Sequence, residues 1–162
     1  DRAPASQGPG WLQGPRRAMT RSLTNSILID APVGQVFAYV KDPSNFNQLM
    51  PDVTFSDVSL TPDGVGTTYR FETRVAGRPI RGRGEYTDFT PDQHIHDETT
   101  VASEGSFDWT FEAEGDGVRV TITHHPGRYW GLPIIGRLLA ANYEQMDRQV
   151  LARLKSRLEG HS

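Results

Sequence analysis

From Val53 to Pro126 the chain alternates apolar and polar residues, and turn-forming clusters interrupt it: "TPDGVG" (61–66), "AGRP" (76–79), "TPDQ" (90–93), "SEG" (103–105) and "EGDG" (114–117). Period-two alternation between such clusters predicts six strands joined as an antiparallel meander. "GVRVTITHH" sets Val118, Val120 and Ile122 against Arg119, Thr121 and Thr123, and "SFDWTFEAE" sets Phe107, Trp109 and Phe111 against Asp108, Thr110 and Glu112. In "TYRFETRV", Tyr69, Phe71, Thr73 and Val75 oppose Arg70, Glu72 and Arg74. Each strand therefore has one dry face and one wet face. Upstream, the β-type run "SLTNSILID" (22–30) precedes Val33, Val36, Phe37 and Val40, whose spacing is helical, and "DPSNFNQLMP" (42–51) restarts at Pro43 and stops at Pro51. A strand followed by two short helices is predicted there. Downstream of "PGRYWGLP", Ile135, Leu138, Leu139, Tyr143, Met146, Val150, Leu154 and Leu158 recur every three or four residues between charged positions, which predicts one long helix with a single apolar stripe.

Composition narrows the partners. The chain has 162 residues, 17 Lys and Arg against 20 Asp and Glu, and a formal net charge of -3. That balance offers no positive field to hold a nucleic-acid backbone, so nucleic acid is not an expected partner. Cysteine is absent, which excludes disulfides and cysteine-ligated metal and leaves the redox compartment open; a reducing cytoplasm is the default expectation. No run approaches the ~20 apolar residues of a spanning helix, so stable membrane insertion is not expected. Residues 1–20 are rich in Pro, Gly, Ser and Gln with Arg16 and Arg17 followed by no apolar stretch, and read as a disordered extension to a domain over 22–159.

The order of elements and five stretches of text, "ILIDAPVGQVFAYVKDPSNFNQLMPDV" (27–53), "VGTTYRF" (65–71), "GEYTDFTPDQHI" (84–95), "WTFEAEGDGVRVT" (109–121) and the terminal helix, resemble the START-like superfamily, in particular the polyketide cyclase/dehydratase branch of the SRPBCC proteins. The resemblance implies an α+β helix-grip fold: a seven-stranded curved antiparallel sheet wrapped around a long C-terminal helix, with two short helices after the first strand. It also implies a deep cavity between sheet and helix for sterols, lipids, quinones, hormones or polyketide intermediates. A minority of such proteins are aromatase/cyclases or dehydratases, and no catalytic set transfers residue by residue to this chain.

"IRGRGEY" (80–86) tests that expectation. The phase of the neighbouring strands turns Ile80, Gly82, Gly84 and Tyr86 inward and Arg81, Arg83 and Glu85 outward. Two inward glycines leave either open cavity or room taken by a neighbour, such as Tyr143 from the helix above, or they mark a bulge. A dinucleotide fingerprint is excluded, because Thr87 stands where a third glycine belongs and a strand continues where a helix should start.

Three inward groups are candidates for proton transfer: His124, by alternation with Ile122, Tyr86, and Asp97, if Ile95 packs in the core. The ordinary alternative for His124 is a hydrogen-bonded strand end. Tyr69, Phe71, Gly82, Gly84, Tyr86, Trp109, Phe111, Trp130, Tyr143 and Met146 are expected to line the ligand space, as core first and contacts second. His94 and His96 with Glu98 have chelate spacing but need a further ligand from elsewhere, and the Ile95 phase leaves both exposed. No metal and no cofactor is therefore expected. The reading is a monomer or homodimer holding a small hydrophobic molecule, either as a cyclase/dehydratase-like enzyme or as a carrier or sensor without catalysis. A third reading, a co-chaperone-like interaction module, requires a filled interior and an exposed apolar patch.

Overall fold

The computed structural model describes residues 22–75, 77–100, 105–125, 127 and 133–160. Strand β1 (Leu23–Ile29) leads into α1 (Val33–Val40), a 3-10 turn (Pro43–Asn45) and α2 (Phe46–Leu49). Six strands follow: β2 (Val53–Ser59), β3 (Thr68–Val75), β4 (Arg78–Thr90), β5 (His94–Thr100), β6 (Gly105–Glu114) and β7 (Gly117–His125). Helix α3 (Pro133–Leu158) ends the fold. The strands form one antiparallel sheet in the order β1-β7-β6-β5-β4-β3-β2, a meander whose last strand returns to pair with the first. This is the predicted α+β helix-grip arrangement. The proposed extension at 1–20, and Trp130, lie outside the described residues.

Burial follows the pleat. Along β7 Val118, Val120, Ile122 and His124 are buried while the residues between them are partly exposed. Along β4, Gly84 and Tyr86 are buried between exposed Arg83, Glu85 and Thr87. A bulge between Tyr86 and Asp88 then puts Thr87 and Asp88 both outside, so that Phe89 follows Tyr86 inward after three residues instead of two.

The inner face is covered first by the short helices. Val36, Phe37 and Val40 form the buried side of α1, and Phe46 and Leu49 that of α2. Asp42 accepts from the Ser44 amide and starts the 3-10 turn, and the Asn47 side chain both donates to Phe55 O and accepts from Phe55 N, tying α2 to β2. So held, Phe46 stacks on Trp109 at a centroid separation of 5.9 Å, and Phe37 meets Phe89 and Phe111 edge-on, each at 5.2 Å. Aromatic pairs in these geometries contribute about 0.5–1.5 kcal/mol each beyond the area they bury.

Helix α3 is anchored through its C-terminal half. Val150, Leu151 and Leu154 are buried, Arg153 donates to Leu49 O, Lys155 donates to Leu28 O, and Glu159 accepts from the Asp30 amide. Among the described side chains, the predicted stripe departs from this at Leu138, which is 68% exposed; Ile134 nearby is 76% exposed. The regular spacing continues along α3 past the part that the sheet edge and α2 cover, and periodicity alone does not reveal where that cover ends.

The glycines of "IRGRGEY" have a specific answer at Gly84. Its cross-strand partner is Tyr69, and a Cβ built on Gly84 would fall inside the Tyr69 phenol, against Cζ, Oη and Cε1. The room is thus taken by a neighbouring strand's ring, neither left as cavity nor given to Tyr143. Gly82 sits opposite Phe71 and is half-buried. Gly84→Ala is expected to push the Tyr69 ring off its seat and cost about 1–3 kcal/mol. Urea unfolding checks this, and wild-type stability in the variant would show the ring to be free to move.

Candidate functional site

One lateral row of inward positions crosses four strands. Tyr86 pairs with Asp97, Asp97 with Phe107, and Phe107 with His124, so four side chains from β4, β5, β6 and β7 stand side by side on the concave face. At ~4.8 Å per strand, Asp97 and His124 are about 10 Å apart with Phe107 between them. Tyr69 reaches the row from β3 over Gly84.

Asp97 is 1% exposed. Tyr69 donates its phenol to Asp97 Oδ2 at 2.5 Å, and Asp97 Oδ1 has no hydrogen-bond partner among the described residues. Burial pushes the Asp97 carboxyl from its ordinary 3.8 up to about 8, against the pull of the Tyr69 hydrogen bond and of the Glu85 backbone beside it. At neutral pH it is chiefly a neutral acid, with a proton to donate. Burial and the nearby Asp97 raise Tyr69 and Tyr86 well above the usual phenol range, so both stay protonated. The Tyr86 hydroxyl points to Val40 O at 3.4 Å.

At the other end, His124 Nε2 lies 2.8 Å from Asp147 Oδ1, and both residues are nearly fully buried. Asp147 comes from α3, four residues after Tyr143, so both lie on one helix face. The His124 ring packs against Phe107 at 4.4 Å and Tyr143 at 4.9 Å between centroids. Asp147 Oδ2 has no hydrogen-bond partner among the described residues. The sequence reading missed Asp147. Its signal was an acid placed four residues from both Tyr143 and Leu151 inside an apolar stripe, where charge is costly without a partner.

The other expected contacts divide. Tyr69, Tyr86 and Tyr143 join the polar row. Trp109 and Phe111 lie under Phe46 and Phe37, Phe71 packs against Phe55 and Tyr69, and Met146 is half-buried against the core. A hollow of about 230 Å³ opens between Asp57, Thr68, Tyr69, Arg70 and Arg83. Its charged, solvent-side rim is unlike the apolar interior pocket expected.

On the convex face, His94, His96 and His125 surround Asp108. They are partly buried there, not freely exposed as the strand phase had implied. His94 Nε2 and His96 Nδ1 lie 2.6 and 2.7 Å from Asp108 Oδ1, and His125 Nε2 contacts Oδ2. Burial alone would raise Asp108, but the three imidazoles hold it down to about 2.

Two outcomes follow from the buried groups. Between pH 3.8 and about 8 the folded protein keeps a proton on Asp97 that the unfolded chain releases. Its stability relative to Asp97→Asn should therefore fall by about 1.4 kcal/mol per pH unit over that window and level off above it; denaturant midpoints of the two proteins across pH are the check. Removing one member of the His124–Asp147 pair strands the other, so Asp147→Ala and His124→Ala should each cost about 3–5 kcal/mol. The double variant should cost clearly less than their sum, and simple additivity in a double-mutant cycle would deny the coupling.

The family model described as polyketide cyclase/dehydrase and lipid transport matches residues 20–159. A search of curated proteins finds no significant match. Among solved structures, protein Ms6760 from Mycobacterium smegmatis superposes with a TM-score of 0.69 at 16% identity, covering 88% of this chain and 94% of that one. The Zhui aromatase/cyclase from Streptomyces sp. R1128 gives 0.67 at 18% identity, over 86% and 93% of the two chains. The Aha1 dimer from Colwellia psychrerythraea gives 0.64 at 14%, over 88% and 98%. At these identities the structural likenesses speak for the fold alone. The family match, spanning nearly the whole chain, goes further: this chain belongs to the polyketide cyclase/dehydrase and lipid transport family.

Proposed function

We propose that the chain binds a small, largely apolar molecule carrying a few oxygens, polyketide-like in character, at the inner polar row between the sheet and the middle of α3. The observation that carries this reading is the pair of buried carboxyl oxygens, Asp97 Oδ1 and Asp147 Oδ2, which have no hydrogen-bond partner among the described residues. Buried polar atoms ordinarily find partners; a ligand carbonyl suits the protonated Asp97, and a ligand hydroxyl suits Asp147. Family membership and the apolar wall of Phe107 and Tyr143 support the same reading.

The row has the parts of an acid–base pair. Asp97, neutral and steadied by Tyr69, donates a hydrogen bond to a ligand carbonyl and favours its enol. His124, oriented by Asp147, takes a proton from the adjacent carbon or returns one to a departing hydroxyl. Cyclisation and dehydration of a poly-ketone need this pairing, together with a wall that holds the chain folded. Where His124 and Asp97 only anchor the ligand, the same site serves a carrier.

Native mass spectrometry of freshly purified protein is expected to show an apolar molecule co-purifying one per chain. Given a ligand, Asp147→Asn should lower turnover by about 10²–10⁴-fold while binding persists; binding without turnover in the wild type selects the carrier. An empty protein that binds no apolar probe would sink both. It would leave the interaction-module reading, which the aromatic filling beneath Phe37 and Phe46 and the exposed Ile134 and Leu138 favour.

A further inference from the structure

The convex face of the sheet carries a constellation that the inner site does not use. His96 and Asp108 are direct cross-strand neighbours on β5 and β6, His94 lies diagonal to Asp108 two residues along β5, and His125 lies diagonal to it on β7. The Ile95 phase that turns Asp97 inward turns both β5 histidines to this face. Asp108 and His125 supply the further ligands that "HIHDE" lacked.

We infer that His94, His96, His125 and Asp108 form a binding site for a borderline divalent transition metal, Zn2+ foremost, that staples β5, β6 and β7 together. Ligand atoms of His94, His96 and Asp108 already lie within 4.8 Å of one another. His125 approaches the second oxygen of the same carboxylate. Three nitrogens and one oxygen are the donor set that a tetrahedral Zn2+ takes, at about 2.0–2.2 Å each. Ligand atoms around such an ion sit about 3.3–3.5 Å apart, so His94 and His96 need to withdraw from Asp108 Oδ1 by less than about 1 Å, while His125, which lies outside their 4.8 Å group, has to turn toward them to complete the set. In the metal-free protein the carboxylate can only accept, so each facing nitrogen holds a proton; the ion takes the place of those protons.

The outer shell supports the assignment. A metal-bound imidazole is oriented by an oxygen at its other nitrogen, and each of these three has one nearby. His94 Nδ1 is 3.5 Å from Asp88 Oδ2, His96 Nε2 is 3.8 Å from Glu98 Oε1, and His125 Nδ1 is 3.2 Å from Ser22 Oγ. The β4 bulge that keeps Asp88 outside provides the first of these. The ring of protein ligands is complete, which suits a structural ion better than one that activates water.

The test titrates Zn2+ into untagged, chelator-treated full-length protein by calorimetry, with thermal unfolding alongside and Co2+ as a spectroscopic stand-in. Expected are one ion per chain, a midpoint that rises with metal, and the visible absorption of four-coordinate Co2+. His96→Ala and Asp108→Asn, with circular dichroism to show that each folds, should each weaken binding by at least about 10–100-fold. Ser22→Ala, which leaves every ligand in place, should weaken it less. The inference is overturned by the absence of saturable binding, by undiminished affinity in a folded His96→Ala protein, or by binding that disappears with His161→Ala instead.

Discussion

The two sides of one pleated sheet must carry different chemistry through residues that alternate along the same strands, and the rest of the molecule depends on that constraint. On β5, Ile95 and Asp97 are buried on the inner face while His94 and His96 lie on the outer one. On β7, His124 turns in to Asp147 and His125 turns out to Asp108. A register slip of one residue would exchange these sets, burying imidazoles without acids and exposing the apolar face. Each strand from β4 to β7 is paired on both sides, which makes such a slip expensive, because its phase is fixed by two neighbours at once.

The interior is divided, and the division bears on function. Beneath α1 and α2 it is a packed aromatic layer in which Phe37 and Phe46 meet the sheet directly. Beyond that layer the inward positions become polar, with Tyr69, Tyr86, Asp97 and His124 on the sheet and Tyr143 and Asp147 on α3. Helix α3 is tied down at its far end through Arg153, Lys155 and Glu159, which leaves the end nearer Ile134 and Leu138 with exposed apolar side chains. Anchoring one end of the helix while the polar row lies under its middle is compatible with access from the looser end.

Strand phase and the long helix were legible in the sequence because periodicity is a local signal, and from phase alone His124 and Asp97 could be placed inside. Partners were not legible, because they depend on distance across the fold. Nothing near His124 in sequence names Asp147, 23 residues away on another element. The reading also gave the two β5 histidines to solvent, since alternation assigns a face without saying what shares it; Asp108 on the next strand decides their surroundings. Likewise Gly84 was readable as an inward vacancy, but its occupant is chosen by cross-strand register, which sets Tyr69 opposite.

That pairing of Tyr69 with Gly84 also orders the changes the chain can undergo. A side chain at 84 meets the phenol ring, whereas a smaller residue at 69 meets only a gap, so substitution at 69 has to come first and substitution at 84 second. Losing Tyr69, however, takes away the hydroxyl that steadies Asp97. The glycine is thus protected indirectly: replacing it requires the buried acid to find another partner beforehand, and a residue with no side chain inherits the constraint of a proton-carrying one.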